Sequence, residues 1–400
     1  MMSQAQQQAI RHEDKVCAHN YKPLPVVLSR GKGAWVWDID GHKYLDMMSA
    51  YSAVSHGHSH PRLLEALTNQ AQRLAIPSRS FHNDKLAPFL EKLCSLSGLD
   101  MALPMNTGAE AVETAIKAAR RWGYEVKNIP EDSAEIIVAA NNFHGRTTTI
   151  VGFSCDEGAR RHFGPFTPGF KQAAFGDSKA FEAAITPNTC AVLVEPIQGE
   201  AGIIMPPEGW LKDLRRICKE NNVLLILDEI QSGLGRTGKM FAHQHEDIQS
   251  DGLILGKALG GGMMPVSCFV AKKEILELFG PGSHGSTFGG NPLAAAVGCE
   301  ALDVLEAEDL VARSAELGAY LKEKILALKS PVFSEVRGRG LWLGLDVAEG
   351  YFSAHELCEK LLEKGILAKE THHKTIRLAP PLVITKEEID WAVAQLESCL

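Results

Sequence analysis

The sequence predicts an α/β fold, in which a mostly parallel sheet is flanked by helices on both faces and a smaller α+β domain follows. The main observation is that short apolar runs alternate with longer helical patterns through the middle of the chain. This alternation is typical of parallel strands joined by helical connections. The predicted strands cover residues 135–140, 190–194, 223–227, 252–255 and 266–270. In such a sheet the active site lies beyond the carboxyl ends of the strands.

The second observation is a change of pattern after about residue 290. A long helical stretch over 292–329 is followed by a Gly-rich, strand-like segment at 336–346, a helix near 354–364 and a last helix from Lys386. The first 35 residues contain Pro23 and Pro25 and are expected to be extended. We therefore predict an N-terminal segment over 1–35 that packs with the small domain, a large domain over 36–290 that carries the site, and a small domain over 291–400.

Composition limits the classes of partner. The chain has 400 residues, of which 45% are hydrophobic and 22% charged, as in ordinary globular proteins. Its net charge of −8 argues against a sequence-independent grip on nucleic acid or on an anionic membrane. The expected partners are therefore small molecules.

Cysteine usage and hydropathy suggest where the protein resides. The nine cysteines are scattered without a C-x-x-C pair, which fits a reducing compartment. The first 14 residues are polar, and no stretch of about 18 apolar residues occurs. We expect a cytoplasmic protein with no membrane partner.

Thr107 and Glu110 form a T-x-x-E capping box in the segment NTGAE, which precedes a helical pattern. A turn of small residues before a helix leaves free backbone N–H groups at the positive end of the helix dipole, and these suit a phosphate. An ordinary capped helix is the alternative.

Asp228 ends the apolar run VLLILD, which places a carboxylate at the carboxyl end of a buried strand. A buried anion needs a partner, and the protonated ring nitrogen of a cofactor would serve. A helix cap or a structural ion pair is the alternative.

Lys257 follows the apolar run GLILG and precedes three glycines. The spacing resembles a P-loop, but it is G-x3-G-K-A and no hydroxyl residue for Mg²⁺ follows the lysine, so an NTPase is disfavoured. A lysine partly removed from water at a strand end has a lowered pKa and can form a Schiff base. A surface lysine is the alternative.

These three signals converge on one crevice of an α/β fold. A phosphate cradle, an acid for a ring nitrogen and an amine for an aldehyde are the three groups that pyridoxal phosphate requires. The histidines of the segment HGHSH, His56, His58 and His60, are expected to be turn and packing residues because no carboxylate or cysteine set accompanies them, so no metal site is predicted.

Nine ordered motifs then resemble those of the class III (fold-type I) aminotransferases, and most closely the ornithine-using members of that family. They are HNYKPLPVVLSRGKGAWVWD, SAYSAVSHGHSHP, LPMNTGAEA, FHGRT, VEPIQGEAG, LDEIQSGLGRTG, LGKALGGGMMPVS, HGSTFGGNPLA and IRLAPPLVI. The resemblance covers nearly the whole chain. It implies a seven-stranded sheet in the large domain, pyridoxal phosphate as cofactor, and at least a homodimer.

The resemblance also implies roles for individual residues toward the cofactor. Lys257 binds it covalently and moves the substrate proton, and Asp228 keeps its ring nitrogen protonated. Phe143 stacks on the ring, Gln231 reaches the phenolic oxygen, and Thr287 contacts the phosphate from the neighbouring subunit. The full cofactor set that the resemblance implies is Thr107, Gly108, Ala109, Phe143, Glu195, Asp228, Gln231, Lys257 and Thr287.

For the substrates, the resemblance implies that Tyr21, Tyr51 and Arg146 hold the α-amino and α-carboxylate groups of L-ornithine. Arg377 resembles the arginine that binds the carboxylate of 2-oxoglutarate, and Glu200 resembles the glutamate that masks it while ornithine is bound. The implied reaction is transfer of the δ-amino group from L-ornithine to 2-oxoglutarate.

One departure leaves the donor open. His144 stands where many ornithine enzymes have tryptophan, and the FHGR form is common among acetylornithine aminotransferases, whereas Tyr51 favours ornithine. Acetylornithine or another ω-amino acid is therefore the first alternative. A non-catalytic scaffold is the second alternative, and four intact residues argue against it: Lys257, Asp228, Glu200 and Arg377.

Overall fold

The computed structural model describes residues 2–400. The elements before the central sheet are α1 Gln4–Val16, β1 Leu28–Lys32, β2 Trp35–Asp38, β3 Lys43–Asp46, α2 Ser49–Ser52, α3 Pro61–Arg73 and α4 Leu86–Ser97. Those of the central sheet region are β4 Met101–Met105, α5 Gly108–Glu125, β5 Glu135–Ala139, α6 Thr148–Gly152, α7 Glu157–Arg160, β6 Phe170–Ala173, α8 Ser178–Ala184, β7 Thr189–Val194, α9 Trp210–Glu220, β8 Leu224–Asp228, β9 Gly252–Leu255, β10 Ser267–Ala271 and α10 Lys273–Leu276. Short 3-10 helices cover Ala242–Glu246 and Lys257–Gly260. The remaining elements are α11 Pro292–Ala307, α12 Leu310–Ala327, β11 Phe333–Gly338, β12 Leu343–Val347, α13 Ala354–Glu363, β13 Ile366–Leu367, β14 Lys369–Thr371, β15 Thr375–Leu378 and α14 Lys386–Glu397.

The central sheet has seven strands in the order β4-β10-β9-β8-β7-β5-β6. All neighbours are parallel except at β10, which runs antiparallel to both β4 and β9. Every residue of β7, β8, β9 and β10 is buried, as expected for strands covered on both faces. The predicted α/β fold class is therefore confirmed.

Two apolar clusters lie on opposite faces of this sheet. Along β5, Ile137 and Ala139 belong to one cluster, whereas Ile136 and Val138 belong to the other. This division follows from the alternation of side chains along a strand. Helix α5 covers the second face, and α4, α9 and α11 pack into the first.

A second sheet lies in the C-terminal part, with the antiparallel order β11-β12-β15-β14. The helical stretch predicted over 292–329 is two helices, because Glu308 caps the end of α11 and Asp309, with a φ of 51°, precedes the first residue of α12. The predicted strand-like segment at 336–346 is a hairpin, which turns at Gly338 and Gly340, both with positive φ.

The N-terminal prediction of an extended segment is wrong for residues 4–16, which form α1. Ser3 caps this helix, and the buried Gln6 donates hydrogen bonds to Asp38 and Asp40. The helix could not be recognised from its pattern, because Gln6 is its one buried residue and it has no apolar stripe.

A third sheet joins both ends of the chain, in the order β1-β2-β3-β13. Ile366 and Leu367 pair in parallel with Leu45 and Asp46. The predicted boundary after Trp35 falls inside β2, and the division into three segments stays a prediction. Between residues 2 and 400, no helix is both long enough and apolar enough to cross a membrane.

Candidate active site

The turn between β4 and α5 builds the predicted cradle. Thr107 Oγ1 accepts a hydrogen bond from the Glu110 amide at 3.2 Å, and the Glu110 carboxylate accepts one from the Thr107 amide at 2.8 Å, which confirms the capping box. A Cβ atom on Gly108 would lie 2.9 Å from the Ile230 side chain, so glycine permits this close approach. The first amides of α5 thus border a cavity where the helix dipole favours an anion.

Asp228 is buried at the carboxyl end of β8, as its place in the sequence predicted. Its Oδ2 lies 2.7 Å from Nδ1 of His144, and its Oδ1 accepts a hydrogen bond from the Ile230 amide at 3.0 Å. Burial would lower the pKa of His144, but the hydrogen bond to Asp228 outweighs it and raises that pKa above the usual value. His144 is therefore protonated more readily than an ordinary histidine while it contacts the Asp228 carboxylate.

Glu195 follows β7 and faces the same region. Its carboxylate accepts hydrogen bonds from the amides of Phe143 at 3.0 Å and Gly199 at 3.4 Å. Burial raises the pKa of Glu195 to about 7, and the charge of Asp228 contributes in the same direction. Near neutral pH this group is therefore close to the midpoint of its titration.

Lys257 comes two residues after β9 and has a φ of 45°, which is unusual for a residue other than glycine. Burial lowers its pKa, although Glu200, Asp228 and Glu195 oppose this effect. A larger fraction of Lys257 is therefore an unprotonated amine than is usual for lysine, and only that form is a nucleophile or a base.

A cavity of about 200 Å³ brings most of the predicted cofactor residues together. It is lined by seven of them: Gly108, Ala109, Phe143, Glu195, Asp228, Gln231 and Lys257. A second cavity of about 420 Å³ shares Phe143, His144 and Gly145 with the first and is lined also by Arg146 and Glu200. The two cavities thus adjoin along one loop.

Glu200 and Arg377 form an ion pair, with Oε2 and Nη1 2.8 Å apart. Arg377 is buried, and its Nε has no hydrogen-bond partner within residues 2–400. Its guanidinium carbon lies 4.9 Å from the centre of the Tyr51 ring. The arginine therefore keeps a buried donor that a second carboxylate could use.

Tyr51 lies in α2, whose four residues all have φ between 43° and 74°. Such left-handed residues cost about 1–2 kcal/mol each unless their surroundings hold them. The fully buried Arg236 does so by donating to the hydroxyls of Ser49 and Ser55 and to the carbonyls of Leu341 and Pro380. Burial lowers the pKa of Arg236 to about 9.

Five predicted site residues line neither cavity, and three of them are exposed; the other two are Tyr51 and Arg377. Tyr21 is 78% exposed, and Thr107 and Thr287 are also exposed. Thr287 was expected to act in a neighbouring subunit, so its exposure in one chain does not test that role. The roles of all three stay predictions.

Sequence reasoning missed several groups. His144 departs from the family pattern, and none of its neighbours in the chain indicates the hydrogen bond to Asp228, which lies 84 positions away. Arg236 lies in a quoted motif, yet its four partners come from distant segments. Such contacts have no periodicity that a single sequence could reveal.

The three histidines of HGHSH have separate partners. Nε2 of His56 contacts the Ala301 carbonyl, while His58 and His60 contact the carboxylates of Asp46 and Glu308. A different group, Asp38, Asp40 and His42, has ligand atoms close enough for an ion. Hydrogen bonds from Gln6, His42 and Tyr44 already engage the Asp38 carboxylate, which gives this cluster a structural explanation.

Comparison with known proteins assigns the family. The sequence profile of the family Aminotransferase class-III matches residues 16–400. The chain belongs to the class III aminotransferases. These are pyridoxal-phosphate-dependent enzymes, so the chain is an aminotransferase whose family uses the cofactor predicted from the three signals.

Relatives within the family are very similar over their whole length. The chain is 58% identical to the ornithine aminotransferase of Brevibacillus brevis over 391 residues, covering 98% of this chain and 97% of the relative. It is similar to the structure of the ornithine aminotransferase of Toxoplasma gondii, with a TM-score of 0.97, 43% identity and coverage of 100% and 95%. It is also similar to that of an acetylornithine aminotransferase from Elizabethkingia anophelis, with a TM-score of 0.90, 48% identity and 98% coverage of each chain.

Proposed function

We propose that this class III aminotransferase transfers the δ-amino group of L-ornithine to 2-oxoglutarate, giving glutamate-5-semialdehyde and glutamate. The observation that carries the proposal is the Glu200–Arg377 ion pair beside Tyr51, next to the cavity that contains Lys257. A carboxylate-binding arginine that can be masked suits an enzyme whose two substrates differ in charge at the same place. The relatives named ornithine aminotransferase support the same donor.

The residues present fit pyridoxal phosphate. The amides of Gly108 and Ala109 would hold its phosphate, Asp228 its ring nitrogen and Phe143 its ring face, while Lys257 would bind it covalently. The buried Asp228 carboxylate, which is hydrogen-bonded to His144, suits a protonated ring nitrogen. When bound, this cofactor supplies an aldehyde that accepts the amino group and a ring that withdraws electrons. Glu195, Gln231 and Thr107 complete the proposed set, with Thr287 of a second copy.

Lys257 would act as the base of the reaction. Because burial lowers its pKa, the amine is available to take the proton from the δ-carbon of ornithine and to return a proton when the semialdehyde forms. The semialdehyde leaves and cyclises without the enzyme to pyrroline-5-carboxylate. The enzyme holds the amino group until 2-oxoglutarate accepts it, so the kinetics should be ping-pong.

Arg146 and the two tyrosines would select the donor by its far end. Arg146 lines the larger cavity, where a guanidinium can bind the α-carboxylate of ornithine in a bidentate manner. Tyr51 and Tyr21 would hold the same end of the substrate. Glu200 would neutralise Arg377 in this half-reaction and withdraw when 2-oxoglutarate brings its own carboxylate.

The test compares kcat/KM for L-ornithine, N-acetylornithine and 4-aminobutyrate with 2-oxoglutarate as acceptor. We expect L-ornithine to be the best donor. A Lys257→Ala variant, which lacks the proposed base, is the negative control and should lose the visible absorption of the bound cofactor. A preference for N-acetylornithine would overturn the proposed donor while leaving the family unchanged.

N-acetylornithine is the second candidate because of His144 and the 48% identity to an acetylornithine aminotransferase. The acetyl group removes the positive charge from the α-amino group of the donor. An enzyme that favours it should therefore lose little activity when Tyr51 is changed to phenylalanine, whereas an ornithine enzyme should lose more.

We also propose that the protein is a cytoplasmic homodimer. The location is inferred from the scattered free cysteines. The dimer is inferred from the exposed Thr287, whose proposed role requires a second copy.

A further inference from the structure

Arg337, Gly344 and Arg377 form a row across three strands of the C-terminal sheet. Gly344 of β12 is paired with Arg337 of β11 on one side and with Arg377 of β15 on the other. Residues directly opposite each other on neighbouring strands share one face of the sheet. Two arginines therefore flank a position without a side chain.

The loop that carries Glu200 lies over that position. A Cβ atom on Gly344 would be 2.7 Å from the Gly202 carbonyl oxygen. A Cβ atom on Gly202, which has a φ of 116°, would be 3.1 Å from Nη2 of Arg337 and from Oγ1 of Thr375. Glycine at both places allows the loop backbone to rest directly on the strand.

The two arginines bind this loop at different points, one at the backbone and one at a side chain. Arg337 donates to the Gly202 carbonyl from Nε at 3.0 Å and from Nη2 at 2.7 Å. Arg377 holds the Glu200 carboxylate at 2.8 Å. A further hydrogen bond runs from Thr371 Oγ1 to the Glu200 carbonyl at 2.7 Å, so the backbone is fixed on both sides of the side chain.

Arg337 is itself fixed by Asp346. Its Nη2 donates to Asp346 Oδ1 at 2.8 Å, and Thr375 Oγ1 donates to the same oxygen at 2.6 Å. Arg337 and Asp346 are both buried. A planar fork can serve the carboxylate and the Gly202 carbonyl together, whereas the single ammonium of a lysine cannot reproduce that geometry.

We propose that Arg337 and Gly344 are positioning residues. They hold the loop that carries Glu200, residues 199–203, against the sheet and so determine how completely Glu200 masks Arg377. The inference rests on the proposed function, because masking matters when the same site must accept both ornithine and a dicarboxylate. If this loop is held less firmly, Arg377 can bind the second carboxylate of L-glutamate in the half-reaction that should use L-ornithine.

The experiment uses Arg337→Lys and Gly344→Ala in the cofactor-loaded protein. Single-turnover rates with L-ornithine and with L-glutamate give the ratio of their kcat/KM values. Both variants should raise the glutamate-to-ornithine ratio by about tenfold or more, because they weaken masking by different means. A merely structural defect would lower both rates and leave the ratio unchanged.

A second readout does not depend on activity. Hydrogen exchange of the amides over residues 199–203 should be about tenfold faster in both variants, because the contacts of Arg337 and Gly344 restrain that segment. The matched control is Arg215→Lys, because Arg215 also joins an aspartate, Asp251, to a backbone carbonyl, that of Gln249. The control should change neither the ratio nor the exchange over 199–203.

The outcomes separate the two claims. If wild-type protein uses L-ornithine but both variants keep its donor ratio and exchange rates, the positioning role of Arg337 and Gly344 is wrong and the proposed function stands. If wild-type protein does not use L-ornithine, the proposed function is wrong. Unchanged exchange in the variants would then also contradict the positioning role of Arg337 and Gly344. Faster exchange together with the raised ratio supports both.

Discussion

His144 and Asp228 are two buried residues whose charges depend on each other. The Asp228 carboxylate raises the pKa of the His144 imidazole, and the imidazole in turn gives the buried carboxylate a hydrogen-bond partner. Removing one member of such a pair leaves the other buried and unpaired, which costs more than the pair itself contributes.

We expect His144→Phe to lower the affinity for pyridoxal phosphate by about tenfold or more, because Asp228 would lose a charge-assisted hydrogen bond. Titration of cofactor-free protein, followed by fluorescence, measures this directly. His355→Phe is the control, because His355 also pairs with a carboxylate, that of Glu370 at 3.0 Å, outside both cavities. Equal affinities in wild type and His144→Phe would contradict the prediction.

Asp346 gives a prediction about pH and stability. Burial would raise its pKa, but hydrogen bonds from Arg337, Thr375 and Lys374 outweigh this and lower it from 3.8 to about 2. A lowered folded-state pKa stabilises the protein above the unfolded pKa, and this contribution is lost as the pH falls through the folded value. Asp346 should therefore stabilise the fold above about pH 4.

Urea unfolding of wild type and Asp346→Asn at several pH values checks this. The variant should be less stable at pH 6, and the difference should shrink as the pH falls from about 4 toward about 2. Asp84→Asn removes an exposed ion pair with Arg73 and should change stability little at any of these pH values. A difference that does not vary with pH would contradict the assignment.

At the scale of single residues, the sequence predicted groups that follow a strand and missed groups defined by distant partners. Asp228 and Lys257 were found because an apolar run ends at or just before each of them. Gly344 offered no such sign. Its importance comes from the Gly202 carbonyl that rests against it, 142 positions away in the chain.

Helix α5 connects local capping with the proposed phosphate site. Its first turn is held by the Thr107–Glu110 capping box, and the same turn presents the amides of Gly108 and Ala109 to the cavity. Losing the cap should therefore affect both stability and binding. The C-terminal helix α14 has the same type of cap, formed by Thr385 and Glu388, which line neither cavity.

We expect Thr107→Ala and Thr385→Ala each to lower the free energy of unfolding by about 1 kcal/mol, as is usual for a lost N-cap. Thr107→Ala alone should also weaken the binding of pyridoxal phosphate. Urea unfolding and cofactor titration of both variants provide the comparison. If the two variants bind the cofactor equally well, the proposed phosphate site at α5 is wrong.

Elements with a strong apolar pattern were predicted closely. The predicted strand at 252–255 has the observed bounds, and the predicted strand at 266–270 is displaced by one residue. The helix α1 and the left-handed turn α2 were not predicted. The first is polar on nearly every side, and the second depends on Arg236, which lies 184 positions after Ser52.

For the whole molecule, the proposed dimer predicts that sites are shared between subunits. Lys257→Ala should be inactive by itself, and so should Thr287→Arg if Thr287 serves the neighbouring site. In a mixed dimer, one site would combine an intact Lys257 with an intact Thr287 from the other subunit. Random mixing of equal amounts should then restore about a quarter of the wild-type activity, since half of the dimers are mixed and each has one complete site.

Co-expression of the two variants with different affinity tags, followed by activity measurement, checks this. A mixture without activity would show that Thr287 serves its own chain. Mixing Lys257→Ala with itself under a second tag is the control for exchange and handling.

The overall architecture could be predicted because alternation of apolar strands and helices spans most of the chain. How the ends of the chain meet could not. The pairing of β3 with β13 joins segments more than 300 residues apart, and two residues of β13 carry too little pattern to identify a strand partner.

That meeting of the two ends has a consequence for synthesis on the ribosome. Residues 101–271, which supply Gly108, Asp228 and Lys257, emerge well before β15. Tyr51 emerges early, but Arg377, which lies beside it in the folded protein, emerges late. The Met47 carbonyl likewise has no partner until the Ala379 amide, which donates to it at 2.7 Å, has been synthesised. Chains fold from the N-terminal side as they are made. A nascent chain can therefore build the proposed cofactor cavity before it can distinguish one amino donor from another.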